Sequence, residues 1–93
     1  MEIILNKCYG GLSFSKEALE RAGFSWEYDR HNDDLRRSLN MIDVVREMGD
    51  DAGRYYSKPV VVTIPEEATD YRLTEYDGFE TILYVVDGKI HSI

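Results

Sequence analysis

Ile3-Ile4-Leu5-Asn6-Lys7-Cys8-Tyr9-Gly10-Gly11-Leu12-Ser13-Phe14-Ser15 is the stretch on which the fold turns. Its first three residues are apolar, two of them β-branched, and read as a short buried strand. Ser15 then suits a helix N-cap, with Phe14 before it and Leu19 at the fourth helical position as a hydrophobic staple. Two adjacent glycines sit between strand and helix. Their backbone reaches angles closed to other residues and lets another group approach the main chain. Asn6, Lys7, Tyr9, Ser13 and Ser15 bring hydrogen-bonding groups to the same turn. A loop of this kind before a helix N-terminus can receive an anion on its backbone amides. It can also be a tight bend and nothing more. The bend accounts for the glycines and Ser15, but it does not require Asn6, Lys7, Cys8 and Tyr9.

Outward from this stretch, Ala18, Leu19 and Ala22 give the first helix a modest apolar stripe, and Gly23 is placed to end it. About two turns long, it is stable only when docked on a sheet. Phe24 to Asn32 is an irregular connector in which Phe24, Trp26 and Tyr28 are expected to cover the edge of the core. Leu35, Leu39, Ile42, Val45 and Met48 recur at helical spacing. They predict a second helix that starts between Asp33 and Asn40 and ends at Met48, with Gly49 as its stop. Asp50 to Gly53 reads as a loop, and Arg54 to Lys58 as loop or an extra edge.

The remainder is strand-like. Val60-Val61-Val62-Thr63-Ile64, bounded by Pro59 and Pro65, reads as a central strand. Glu66 to Asp70 forms a turn. Tyr71 to Tyr76 and Phe79 to Val86 read as the next two strands, punctuated by Asp77-Gly78. Asp87-Gly88 signals a type I′ hairpin into Lys89 to Ile93. The expected architecture is α+β in a single domain, in the order β-α-α-β-β-β-β. Two helices pack on a mixed, mainly antiparallel sheet of four to five strands.

Ninety-three residues suffice for one core and not for two. A composition 43% apolar and 31% charged is that of a globular chain rather than a disordered one. No apolar run approaches the ~20 residues that span a bilayer. The N-terminal residues lack the basic segment and cleavage site of an export signal. One cysteine cannot form an intramolecular disulfide. A cytoplasmic location is therefore expected. The net charge of −7 argues against direct binding to nucleic acid or an anionic membrane, which needs clustered Lys and Arg. It suits a solubilising surface, or an acidic surface that competes with nucleic acid for a basic groove on a host protein.

Catalytic patterns are weak. The phosphate loop of ATPases is missing, since no Gly-Lys-Ser/Thr follows the glycines. Cys8 lies where a helix N-terminus could stabilise a thiolate. A phosphatase-type loop would need arginine six residues later, however, and Phe14 stands there. His31 and His91 belong to no recognisable cysteine–histidine motif and read as surface residues. One cysteine and two distant histidines offer no zinc spacing. No catalytic residue, metal or cofactor is expected. Arg36-Arg37 is the one adjacent basic pair. It could clamp a phosphate or carboxylate before the second helix, or pair at the surface with Asp33 or Asp34. Glu75, Asp77 and Glu80 surround Tyr76 and Gly78, either as part of a site or as turn and sheet-edge chemistry.

Asn6-Lys7-Cys8-Tyr9-Gly10-Gly11, with Ser15 opening a helix, resembles the N-terminal signature of a widespread family of small phage and prophage proteins. Ile42-Asp43-Val44-Val45-Arg46-Glu47-Met48-Gly49 is similar to that family's helix end. Val61-Val62-Thr63-Ile64-Pro65 is similar to one of its strands, and Glu75-Tyr76-Asp77-Gly78-Phe79-Glu80 to its segment near the C-terminus. The chain departs from the pattern at Leu39, where a proline after aspartate is common, and in a longer C-terminal hairpin. The resemblance brings no reaction with it. It implies a phage-related origin and a role against host defence, and it groups the Glu75 to Glu80 segment with the glycine turn.

The residues expected to bind are Asn6, Lys7, Tyr9, Gly10, Gly11 and Ser13 from the turn, with Arg37, Tyr76, Asp77 and Glu80. In this scheme the chain is a non-enzymatic sequestering protein for a small phosphorylated, nucleotide-type signal. Backbone amides of Gly10-Gly11, with Lys7 and Arg37, take phosphates. Tyr9 stacks, and Asp77 or Glu80 holds hydroxyl or amine groups. The alternative is a protein-binding inhibitor of a host defence complex, acting through an acidic, aromatic surface. Stoichiometric capture favours a homo-oligomer with sites between subunits, joined through exposed tyrosines and the C-terminal hairpin edge.

Overall fold

In the computed structural model, which describes residues 1–27 and 32–93, β1 (Glu2–Asn6) is buried on both faces. Ile4 packs with Phe14, Leu19, Leu35, Met41, Ile42 and Val45 on the helical side. Ile3 and Leu5 join Val62, Ile64 and Ile82 on the other. The period-2 alternation of a strand thus feeds the two sides of the core, one against the helices and one against the meander, from three consecutive apolar residues.

The remaining elements follow as α1 (Lys16–Arg21), α2 (Asn32–Leu35), α3 (Leu39–Met48), β2 (Pro59–Thr63), β3 (Asp70–Tyr76), β4 (Phe79–Val86) and β5 (Lys89–Ser92). A 3₁₀ turn, Gly49–Ala52, continues from α3. This is the expected α+β order, with α2 as an additional short helical turn. The strands form two antiparallel sheets: β1 pairs β2 from Glu2↔Thr63 to Asn6↔Pro59, and β3-β4-β5 is a meander. Helices cover one face of the β1–β2 pair and the meander covers the other. The valine run is therefore an edge strand rather than a central one. Pro59, at its first position, gives up no ladder bond there.

The helices start where serines can cap them. Ser15 Oγ accepts from the Ala18 amide at 3.2 Å, and Ser38 Oγ from the Met41 amide at 3.3 Å. The break at Ser38 separates Leu35, buried at the end of α2, from Leu39, which is exposed at the start of α3 and not on the buried face. Gly49 closes α3 with φ 62°. Of the connector rings, Phe24 packs against the helical core and Trp26 is half exposed; Tyr28, like His31, lies outside the described residues.

Both meander turns are type I′. Asp77 and Gly78 have φ 50° and 89° between the paired Tyr76 and Phe79; Asp87 and Gly88 have 52° and 73° between Val86 and Lys89. The first of them is wedged against the glycine turn. The Gly10 amide donates to the Asp77 carbonyl at 2.6 Å, and a Cβ on Gly78 would fall 2.0 Å from the Gly11 nitrogen. The Gly88 position opens on empty space. Gly78→Ala is accordingly expected to destabilise by ~3 kcal/mol or more, through overpacking added to left-handed strain. Gly88→Ala is expected to cost only ~1–2 kcal/mol. Urea unfolding of the two variants checks the contrast, and equal losses would show that the two turns do not interlock.

Candidate functional site

The site begins at the free edge of β1. Met1 bonds Ile64 in both directions and the Lys7 amide donates to the Lys58 carbonyl, so odd positions face β2. The polar groups of Ile4 and Asn6 then point to the opposite edge, where no strand lies. There the Ile4 amide donates to the Arg36 carbonyl at 2.9 Å, and the Arg36 Nη1 donates to the Ile4 carbonyl at 3.1 Å. The Asn6 amide donates to Glu80 Oε1 at 2.6 Å. Arg36 and Glu80 bind each other bidentately, Nη1 to Oε1 at 2.7 Å and Nη2 to Oε2 at 2.5 Å. They are 8% and 5% exposed, so this is a buried pair and not a sheet-edge charge.

Arg36 therefore differs from its expected place at the surface before the second helix. Asp33 does accept from its Nε at 3.1 Å, but the far end of the guanidinium is buried on Glu80. Burial alone would lower the Arg36 pKa; the hydrogen bonds and charge of Glu80, and then those of Asp33, outweigh it and hold it above the ordinary arginine value.

Asn6 is fully buried and its amide has no capacity left. Nδ2 donates to the carbonyls of Cys8 at 2.7 Å and Gly78 at 2.8 Å. Oδ1 accepts from the Lys58 amide at 2.9 Å and from Ser57 Oγ at 3.3 Å. Two donors and two lone pairs are all used. Lys7 Nζ donates to the carbonyls of Glu80 at 2.7 Å and Ile93 at 3.1 Å, and lies 5.2 Å from the centre of the Phe79 ring. Desolvation depresses its pKa, and the Glu80 charge partly opposes that.

The sequence-chosen residues thus divide. Asn6, Lys7, Tyr9, Gly10 and Gly11 do come together with Asp77 and Glu80, as a connection between the two sheets. Ser13 lies on the far side of the glycines, where its amide donates to Ser57 Oγ at 3.1 Å. Arg37 is elsewhere: its Nη1 donates to the Tyr71 hydroxyl at 3.2 Å. Tyr71 stands five residues along β3 from Tyr76, roughly 17 Å at the rise of a strand.

Rings are left on the outside. Tyr9, Tyr55, Tyr56 and Tyr76 are 60%, 80%, 82% and 75% exposed. Tyr9, Tyr55 and Tyr56 line one small cavity with Gly10, Gly11 and Arg54. Tyr76 is paired with Phe79, whose ring centre lies 5.7 Å from that of Tyr9. The cavity measures about 70 Å³, against ~300–1,000 Å³ for sites that enclose drug-sized ligands. Tyr55 holds a left-handed φ of 60°, uncommon for a large side chain. Tyr55, Tyr56 and Arg54 are absent from the residues the sequence selects, and Arg36 enters there only beside Arg37 as a basic pair. A Tyr-Tyr pair in a loop with no periodic apolar neighbours was the signal available for the first two.

Cys8 is a free, half-buried thiol, and His91 stacks on Tyr84 at 5.2 Å. Among the described residues no three His, Cys, Asp or Glu side chains are grouped as metal ligands, and no helix is long and apolar enough to cross a membrane. The chain matches no protein-family model, no curated protein and no solved structure.

Removing one member of the Arg36–Glu80 pair leaves a buried charge and bare β1 groups. Arg36→Met and Glu80→Leu are each expected to cost ~3–5 kcal/mol. Isolated buried pairs can often be replaced by apolar residues without loss. Here the double variant is expected to stay destabilised by ~2 kcal/mol or more, because the Asn6 amide and Ile4 carbonyl lose their partners. Chemical denaturation of the two singles and the double measures this, and a double variant as stable as the parent would refute the edge-closing role.

Proposed function

We propose that this chain is a binding protein without turnover, whose contact surface is the tyrosine-rich end around the Gly10-Gly11 and Asp77-Gly78 turns, and whose target is another protein. The observation that carries this reading is the gathering of Tyr9, Tyr55, Tyr56 and Tyr76, all well exposed, around turns in which the Gly10 amide and the Cys8, Asp77 and Gly78 carbonyls are already engaged. Tyrosine supplies large, amphipathic contact area at low entropic cost and is enriched at interface hot spots. The strained backbone at Tyr55 is the kind of outlier that persists where a side chain must be presented. A net charge of −7 favours a basic face on the target and faster encounter with it. A host defence complex as the target is what the family resemblance adds.

Sequestration of a phosphorylated ligand by the glycine turn draws less support. The Lys7 ammonium, the Gly10 amide, the Asn6 amide group and the Glu80 carboxylate all have partners within the protein. Arg37 lies between α2 and α3 and reaches Tyr71, on another part of the meander.

Co-purification from a bacterial host carrying a defence system, followed by titration of the captured protein, tests the docking reading. Tyr55→Ser with Tyr56→Ser is expected to weaken that complex by ~2 kcal/mol or more, about thirtyfold, with the thermal midpoint unchanged. Binding that is indifferent to both substitutions, or no protein partner at all, would overturn it.

A further inference from the structure

We propose that the cleft between Phe14–Leu19 and Gly53–Arg54 is a second binding site, which takes a planar aromatic anion of nucleoside-monophosphate size. The cleft measures about 350 Å³, within the range of small-molecule sites, and is lined by Phe14, Lys16, Leu19, Trp26 and Arg54 along with Ser15 and Gly53. In a chain of net charge −7 its lining holds two cations and no carboxylate. Phe14 and Leu19 are buried and give it an apolar floor, and Trp26, the single tryptophan, is half exposed at its wall.

The cations are not equivalent. Arg54 forms no ion pair among the described residues; its guanidinium lies 4.7 Å from the Tyr55 ring centre. Its backbone is held on both sides, the amide donating to the Ser13 carbonyl at 3.0 Å and the carbonyl accepting from the Ser57 amide at 3.1 Å. Lys16 approaches Glu20 at 3.9 Å with both side chains exposed, a pair weak enough to exchange for a ligand anion.

The walls are preorganised. Phe14 bridges Gly53, and the Ser15 amide donates to the Ala52 carbonyl at 2.8 Å. A Cβ on Gly53 would strike the Ser57 carbonyl at 2.1 Å, so the close approach that seats Arg54 needs glycine at position 53. An arginine fork on a held backbone suits bidentate contact with phosphate, and an indole face suits a nucleobase. The ligand's base then stacks on Trp26 and its phosphate meets Arg54 and Lys16.

Because Trp26 is the only tryptophan, its fluorescence reports the stacking directly. Titration of the intact protein with AMP is expected to quench it saturably below about 10 mM. Adenosine, lacking the phosphate, is expected to need at least about tenfold higher concentration, and inorganic phosphate is expected not to quench. Arg54→Ala and Lys16→Ala are each expected to raise the half-saturation concentration several-fold with the circular dichroism unchanged, while Tyr56→Ser leaves it as it was. No saturable quenching by AMP, or quenching that survives Arg54→Ala undiminished, overturns the proposal. Neither result bears on the protein-docking surface, which is tested through Tyr55 and Tyr56.

Discussion

The structure depends on how the unpaired edge of β1 is closed. A two-stranded sheet with a buried strand leaves one row of amide and carbonyl groups facing the interior, and each such group costs on the order of 1–3 kcal/mol if it finds no partner. Arg36 and Glu80 take the place of a third strand. Arg36 does so through its main chain and its guanidinium, and Glu80 through a carboxylate oxygen on the Asn6 amide. A buried ion pair is ordinarily weak support for stability, because desolvation offsets the attraction. This one is different, since neither member could be apolar without stranding the backbone of β1. It also joins all three layers. Arg36 follows α2, Glu80 belongs to β4, and the strand they hold lies between the helices and the meander.

That closure explains the residues around the glycine turn. Once Glu80 is fixed on β1, the start of β4 and the hairpin turn before it must lie against the segment that leaves β1. Gly78 lets the two backbones meet at a distance that a Cβ on it would forbid, and Gly10 and Gly11 take the positive φ of 101° and 94° that carry the chain past it. Asn6 then serves as a four-way connector between β1, the turn, the hairpin and the segment before β2. Lys7 reaches across to the carbonyls of Glu80 and Ile93. Groups that would be attractive for a ligand are thereby directed inward. The large apolar side chains this end leaves in solvent are those of Tyr9, Tyr55, Tyr56 and Tyr76.

Most of the fold was legible because it rests on local signals. Ser15 caps a helix, Gly49 ends one, and Asp-Gly pairs make both hairpins; each acts within a few residues. The division into two sheets was not legible. The valine run gives no sign of how many neighbours it will have, and that β1 pairs with this strand alone follows from Arg36 and Glu80, 44 positions apart, closing β1's other side. The site was half legible for the same reason. The glycine turn and the Glu75 to Glu80 segment, grouped through the resemblance and not by the residues themselves, do meet. The sequence could not tell a carboxylate that waits for a ligand from one that is already bound. Arg36 looked like a twin of Arg37, yet one is buried and the other is on the surface. Adjacent identical residues differ only through the elements that pack over them.

Arg54 connects the two surfaces that remain. It contributes to the tyrosine-lined cavity and to the cleft beside Trp26, and its guanidinium rests on the Tyr55 ring. Its main chain is pinned, so only the side chain is free to choose between ring and anion. A phosphate that draws the guanidinium toward Lys16 removes a cation from the face of Tyr55, where such a contact is worth ~0.5–1 kcal/mol at an exposed site. A protein seated on the tyrosines would act on the same side chain from the opposite direction. Linkage makes any such effect reciprocal: if the anion weakens docking, docking weakens the anion by the same factor. With one shared contact of that size the factor is about two- to fivefold. Two ligands on a chain this small would then be modestly coupled, without any rearrangement of the interlocked sheets beneath them.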